Sequence, residues 1–192
     1  MLSETSHGNL DALTDNAIMI KIKEGNLDGM RLLFVRYNRP LYGFLFRMTN
    51  DRETSEDIVQ EVFYRMLKSR HTFMGTGEFR TWMYHLSRNV LKDVIRKHKK
   101  AGHHFEMTAF EERIDSGAAA DEKLLKQQEA AMVQEALGRL SPEFREVLIL
   151  SRYQDLRYSE IAAILDITQG AVKVRVHRAI EQLKQIFLKT AY

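Results

Sequence analysis

Two prolines and ten glycines are the only strong chain-breakers in 192 residues, and long unpunctuated stretches favour long helices over short strands joined by tight turns. The apolar residues agree, recurring at three and four: Ile18 and Ile22; Leu33, Tyr37, Leu41 and Leu45; Ile58, Val62 and Met66; Met83, Leu86, Val90 and Val94. The predicted fold class is all-α. With 44% hydrophobic and 29% charged residues, the chain has the profile of a globular protein. Its length suits one ordinary domain or two small ones and excludes a large multidomain enzyme.

Punctuation divides this pattern. A soft break at Gly25–Gly29 separates two helices before Met48, Asn50–Glu53 reads as a turn, and Phe73–Glu78 interrupts the chain before a helix from about Thr81 to Lys100. Residues 18–100 are therefore expected to form a first small helical domain behind a disordered tail, 1–17. Residues 101–122 lack a sustained period, contain Ser116-Gly117-Ala118-Ala119-Ala120 and read as a flexible linker. The second domain, 123–192, resumes as a helix, stops around Leu140 and restarts at Ser141-Pro142. There serine caps, and proline at the first helical position loses no hydrogen bond.

The absence of cysteine excludes disulfides, thiolate zinc sites, iron–sulfur clusters and cysteine nucleophiles. Met1–Leu10 has no basic segment leading into an apolar one, and the longest uninterrupted aliphatic stretch is Ile161–Leu165. The expectation is a cytoplasmic protein without membrane insertion. An enzyme is not expected, nor any cofactor. The one Glu-x-x-His, Glu4 to His7, falls in the tail, and no His-Glu-x-x-His, Gly-rich phosphate loop or Gly-x-Ser-x-Gly elbow occurs. His103-His104 has no carboxylate or cysteine company.

The net charge is only +3, but its distribution is very uneven. Asp51 to Glu61 carries five acids against Arg52 alone, whereas Phe79 to His104 carries seven Lys and Arg residues against Asp93. Residues 169–189 are basic again. Two separated basic segments suggest two contacts with a polyanion.

Helical geometry sorts these charges onto faces. Opposite the Ile58–Val62–Met66 stripe lie Asp57, Gln60, Glu61 and Tyr64, which suit a basic partner or a merely solvated surface. Arg88, Asn89, Lys92, Arg96 and Lys99 share one side of the next helix with His85. The preceding loop, Phe73, Met74, Gly75, Thr76, Gly77 and Glu78, with Trp82 beyond it, sets aromatic and small polar groups beside those cations, as an unstacked single strand requires. Phe79 and Trp82 would serve equally well as core anchors.

Near the C-terminus, Ile161, Ala162 and Leu165 lie on one face of a short helix. Asp166-Ile167-Thr168 makes a tight turn, and Thr168 is placed to cap a longer helix, giving helix-turn-helix grammar. Val172, Val176, Ala179 and Leu183 form the stripe expected to be buried. The opposite face, Gly170, Lys173, Val174, His177 and Arg178, suits a DNA major groove, with Arg175 offset toward a flanking phosphate. An ordinary helical hairpin with a solvated basic face has the same pattern.

Three separated motifs, Asp57-Ile58-Val59-Gln60-Glu61-Val62-Phe63, Phe79-Arg80-Thr81-Trp82-Met83-Tyr84 running on to Arg88-Asn89-Val90 and Asp93, and Leu140-Ser141-Pro142-Glu143-Phe144-Arg145-Glu146-Val147-Leu148, resemble the bacterial extracytoplasmic-function (ECF) sigma factors in order and spacing. The resemblance implies a region 2-like domain and a region 4-like helix-turn-helix domain, with core RNA polymerase, promoter DNA and an anti-sigma factor as partners. It implies that Asp57 and Gln60 dock on polymerase and that the Phe73–Glu78 loop captures an extruded minus-10 base. Asn89 would contribute to that recognition, and the second helix of the helix-turn-helix would read the minus-35 element.

The sequence departs from that family at three points. Arg157 stands where a Ser or Thr cap is usual, Asp166 replaces a frequent turn glycine, and Val174 occupies a place on the DNA face where a small polar residue is common. The competing reading is a conventional helix-turn-helix regulator with an N-terminal sensory domain. Such a protein would bind duplex DNA alone, usually as a dimer, and has no use for the Asp57–Gln60 helix or the basic aromatic loop.

Overall fold

The computed structural model describes residues 12–101 and 120–190, which contain eight α-helices, one short 3-10 turn and no strand. Residues 1–11, most of the expected linker and His103-His104 lie outside the described residues. Helices α1 (Asp15–Lys23), α2 (Gly29–Thr49), α3 (Arg52–Lys68) and α4 (Phe79–Lys100) form the first half; α5 (Ala120–Gly138), α6 (Pro142–Arg152), α7 (Tyr158–Leu165) and α8 (Gln169–Thr190) form the second.

Local chemistry sets the boundaries. Thr14 caps α1 by accepting from the Ala17 N–H at 3.3 Å, so the helix starts at Asp15, inside the expected tail. After Gly25, at φ 106°, α2 begins at Gly29 in a place only glycine fits: a Cβ there would lie 2.7 Å from Ile18 Cγ2. The helix runs through Pro40, which supplies no N–H to the preceding turn, and closes on Asn50 in the left-handed region. The Asp51 carboxylate then accepts from the Thr54 N–H at 2.6 Å to start α3.

In the second half Ser141 and Pro142 start α6 as expected, with Ser141 Oγ accepting from the Phe144 N–H. Arg157 precedes α7 with no hydroxyl to offer. Glu160 compensates: its carboxylate accepts from the Arg157 N–H at 2.8 Å and from its Nε at 3.1 Å, the Glu half of a capping box. Asp166 takes the left-handed conformation, φ 57°, that a turn glycine would adopt more cheaply.

The two halves do not stand apart. Helix α4 packs on α7, and α2 packs on α5 and α6, so the buried residues of both halves join one apolar cluster, from Ile18 through Tyr84 and Leu91 to Ile149, Ile164 and Ala179. Polar side chains bind the seam. Gln154, buried after α6, accepts from the Tyr84 hydroxyl and donates to Pro40 O, while Arg80 donates to its backbone carbonyl. Gln134 donates to Phe46 O at 3.2 Å and Arg145 to Met48 O at 2.9 Å. Arg145 also donates to Leu137 O and Gly138 O, answering carbonyls that the end of α5 leaves open.

Candidate nucleic-acid interface

The structure brings most residues of each set singled out in the sequence to one surface and withdraws Phe73, Arg88 and, in part, Glu61 and Trp82. On α3, Asp57, Gln60 and Tyr64 are exposed while Ile58, Val59, Val62 and Met66 are buried. Glu61 is committed elsewhere. It binds Arg65 Nε at 2.6 Å, Arg65 reaches Asp93 on α4 at 2.9 Å, and Asp93 binds Arg96 at 2.9 Å. Hydrogen bonding to Arg65 holds the Asp93 carboxyl below its ordinary range, and the two acids hold the Arg65 guanidinium above its own. Beside this face Phe34 of α2 packs against Phe63 with the rings tilted and their centroids 4.9 Å apart, and it remains 44% exposed; no sequence signal marks it, since a single apolar residue in a helix carries no local mark.

On α4, Asn89, Lys92, Arg96 and Lys99 are exposed along one side. Lys92, Arg96, Lys99 and Lys100 surround Ile95 in a shallow groove of about 440 Å³, a concentrated positive field suited to a phosphate backbone. Arg88 is not among the exposed cations. Its Nε meets Glu146 Oε1 of α6 at 2.9 Å, with the two side chains 18% and 12% exposed. Burial pushes the Glu146 carboxyl above its ordinary range, and the nearby Arg88, Lys92 and Arg175 offset only part of that.

The loop between α3 and α4 corrects one expectation. Phe73, expected among the base-contacting residues, is buried at 2% exposure and packs on Phe79 and Trp82 with ring centroids 6.3 and 5.5 Å away. Phe79 is buried and Trp82 half-buried. The aromatics anchor the loop from below, and the surface it presents is Met74, Thr76, Gly77 and Glu78, all exposed, with Gly75 at φ 73°.

Helix α8 buries Val172, Val176 and Ala179, half-buries Leu183, and exposes Gly170, Lys173, Val174, His177 and Arg178, as the helical period requires. Thr168 Oγ1 accepts from the Ala171 N–H at 3.1 Å. Arg175 lies on the flank, half-buried, with Glu143 of α6 3.5 Å away. Among the described residues no cluster of metal-ligating side chains occurs and no helix is long and apolar enough to cross a membrane.

Two family models match the chain: Sigma-70 region 2 over residues 33–101 and Sigma-70, region 4 over residues 130–183. The chain is similar to the ECF RNA polymerase sigma factor SigX of Bacillus subtilis, 31% identical over 81% of each chain. It is similar to SigW of the same organism, 27% identical over 86% of this chain and 92% of that one. Its fold resembles CnrH, solved in complex with the cytosolic domain of CnrY, with a TM-score of 0.70 and 22% identity over 90% of this chain and 96% of that one.

Proposed function

The chain belongs to the ECF sigma factors of RNA polymerase, non-enzymatic initiation factors, and on that premise we propose how its surfaces divide the work. The Asp57, Gln60 and Tyr64 face of α3 docks on core polymerase. The exposed loop and the α4 groove engage the opened minus-10 element, Asn89 and the loop reading bases while Lys92, Arg96 and Lys99 hold phosphates. Helix α8 enters the major groove of the minus-35 element.

The observation that carries this reading is the placement, along one chain, of an uncovered acidic and amide face, a cationic groove beside an exposed loop, and a helix-turn-helix whose polar side is open. Arg88 joins the phosphate contacts only when it leaves Glu146, so full engagement of the minus-10 strand requires the halves to part. A regulator that binds duplex DNA alone has no need of the α3 face. The fold is shared with the sigma factor RpoE of Bartonella quintana, solved in complex with the anti-sigma factor NepR, which supports an anti-sigma factor as a further partner.

Transcription in vitro with purified core enzyme tests the reading. Promoter-specific initiation should appear only when both core and this chain are present; specific duplex binding by the chain alone, with no transcription on adding core, would favour the regulator instead.

A further inference from the structure

Helix α1 precedes the segment matched by the region 2 model, which begins at residue 33, yet three of its side chains reach the loop proposed to capture the minus-10 base. Asn16, Ile20 and Lys23 stand one helical turn apart on one face. Asn16 holds the end of the loop: its Nδ2 donates to Gly77 O at 2.9 Å, and its Oδ1 accepts from the Phe79 N–H at 2.6 Å. That N–H is the first of α4, and Glu78, the residue before it, makes no side-chain cap. Asn16 thus caps α4 from another helix and satisfies a donor the helix cannot. Lys23 holds the start: its Nζ donates to Phe73 O at 2.8 Å. Ile20 supports the middle, where a Cβ on Gly75 would meet its Cδ1 at 3.3 Å.

The loop is therefore held at the Phe73 carbonyl, at its left-handed glycine and at the Gly77 carbonyl, all from α1, while the Met74 and Thr76 side chains stay exposed. We propose that α1 is a specificity element: Asn16, Ile20 and Lys23 are positioning residues that fix the loop in the shape that selects the minus-10 base. The inference rests on the reading of the loop given above. Its physical basis is preorganisation. A loop held in its binding shape spends no interaction energy on ordering itself, so differences between bases appear undiminished in affinity. The polar contacts are short and geometrically sound, and each secures a backbone group of the loop rather than a side chain.

The test is selection of transcribed sequences from a pool randomised at the minus-10 element, using the full chain with core polymerase and a fixed minus-35 element. Asn16→Ala and Lys23→Met should each lower discrimination at the captured base by about tenfold, the worth of one well-placed base contact, with core co-purification unchanged. Lys23→Arg restores the donor and should restore the preference. Asn16→Asp, which keeps the acceptor for Phe79 and loses the donor to Gly77, should fall between wild type and alanine. A general structural role would instead lower transcription on all sequences alike, with the preference intact in Lys23→Met, and that result overturns the proposal. Met74→Ala and Thr76→Ala separate the two readings. If they shift the preference and the α1 variants do not, the grip fails alone; if they leave it unchanged, the loop's own assignment fails.

Discussion

Arg88 on α4 and Glu146 on α6 face each other at 2.9 Å across the seam between the two halves, so one cation of the α4 basic stripe is paired with a carboxylate of the other half. The pair is shielded from solvent, and burial raises the Glu146 carboxyl more than Arg88 lowers it. In a separated state Glu146 regains water and its ordinary acidity, and closing the halves therefore takes up a proton. A raised closed-state pKa contributes to closure fully below the separated-state pKa and loses that contribution as pH rises through the closed-state value. Lys92 and Arg175 face the same carboxyl and reduce the effect without reversing it. Energy transfer between dyes on exposed positions of α3 and α8 should report fewer closed molecules as pH rises through that range. Glu146→Gln keeps an oxygen for Arg88 and removes the titration, so its response should be flatter; an unaltered response would assign the titration to another group.

On the α3 face the structure separates Glu61 from Asp57 and Gln60. Asp57→Lys combined with Gln60→Ala should weaken co-purification with core polymerase by at least about tenfold, because a reversed charge at a complementary interface costs attraction and adds repulsion. The circular dichroism spectrum should not change, since both side chains are exposed. Glu61→Gln should behave differently. Its carboxylate already serves Arg65 and, through it, Asp93, so its loss should leave core binding near wild type and lower stability by about 0.5 kcal/mol, the scale of a half-exposed pair. Equal loss of core binding in Glu61→Gln would return that residue to the docking face.

Much of this architecture is legible in the sequence because it is local. Periodicity places the buried stripes of α3, α4 and α8, and Ser141-Pro142 marks the start of α6 within a residue. The Asp166 turn and the Thr168 cap follow from short-range chemistry in the same way. What escaped is non-local. Phe73 lies in a stretch whose composition reads as an exposed loop, and its burial depends on Phe79 and Trp82 of the following helix. Arg88 belongs to a basic stripe by every local measure, and its partner is 58 residues away. The α1 contacts to the loop span more than 60 residues at Asn16 and 50 at Lys23. Nothing in the neighbourhood of either residue announces them.

The exposed cations of α4 should act on DNA without regard to sequence. Lys92 lines the groove beside Arg96 and Lys99, with no base edge specified by an ammonium that can rotate freely. Lys92→Ala should reduce open-complex formation by a similar factor on every promoter tested and lower the slope of log affinity against log salt by about 1. Asn89→Ala should change which promoters are used and leave the salt slope nearly as it was. A marked change of base preference in Lys92→Ala would contradict this division.

The final prediction concerns α8. Val174 is 49% exposed on the open side of the helix, between Lys173 and the turn that carries His177 and Arg178, all exposed. A valine cannot hydrogen-bond a base edge, so its favourable contact in a major groove is the thymine C5-methyl. Arg178 and Lys173 can reach guanine O6 and N7, where a good pair discriminates by roughly 1–3 kcal/mol. Arg175 is half-buried beside Glu143, which leaves it to a flanking phosphate at most and predicts that Arg175→Ala weakens binding evenly across sequences. Minus-35 elements selected from a random pool by wild type and by Val174→Ser, each with core polymerase, should differ at one position, with thymine favoured by wild type and no longer by the variant. Identical selected motifs would mean that Val174 does not face a base and that α8 lies in the groove rotated from the orientation its exposed side implies.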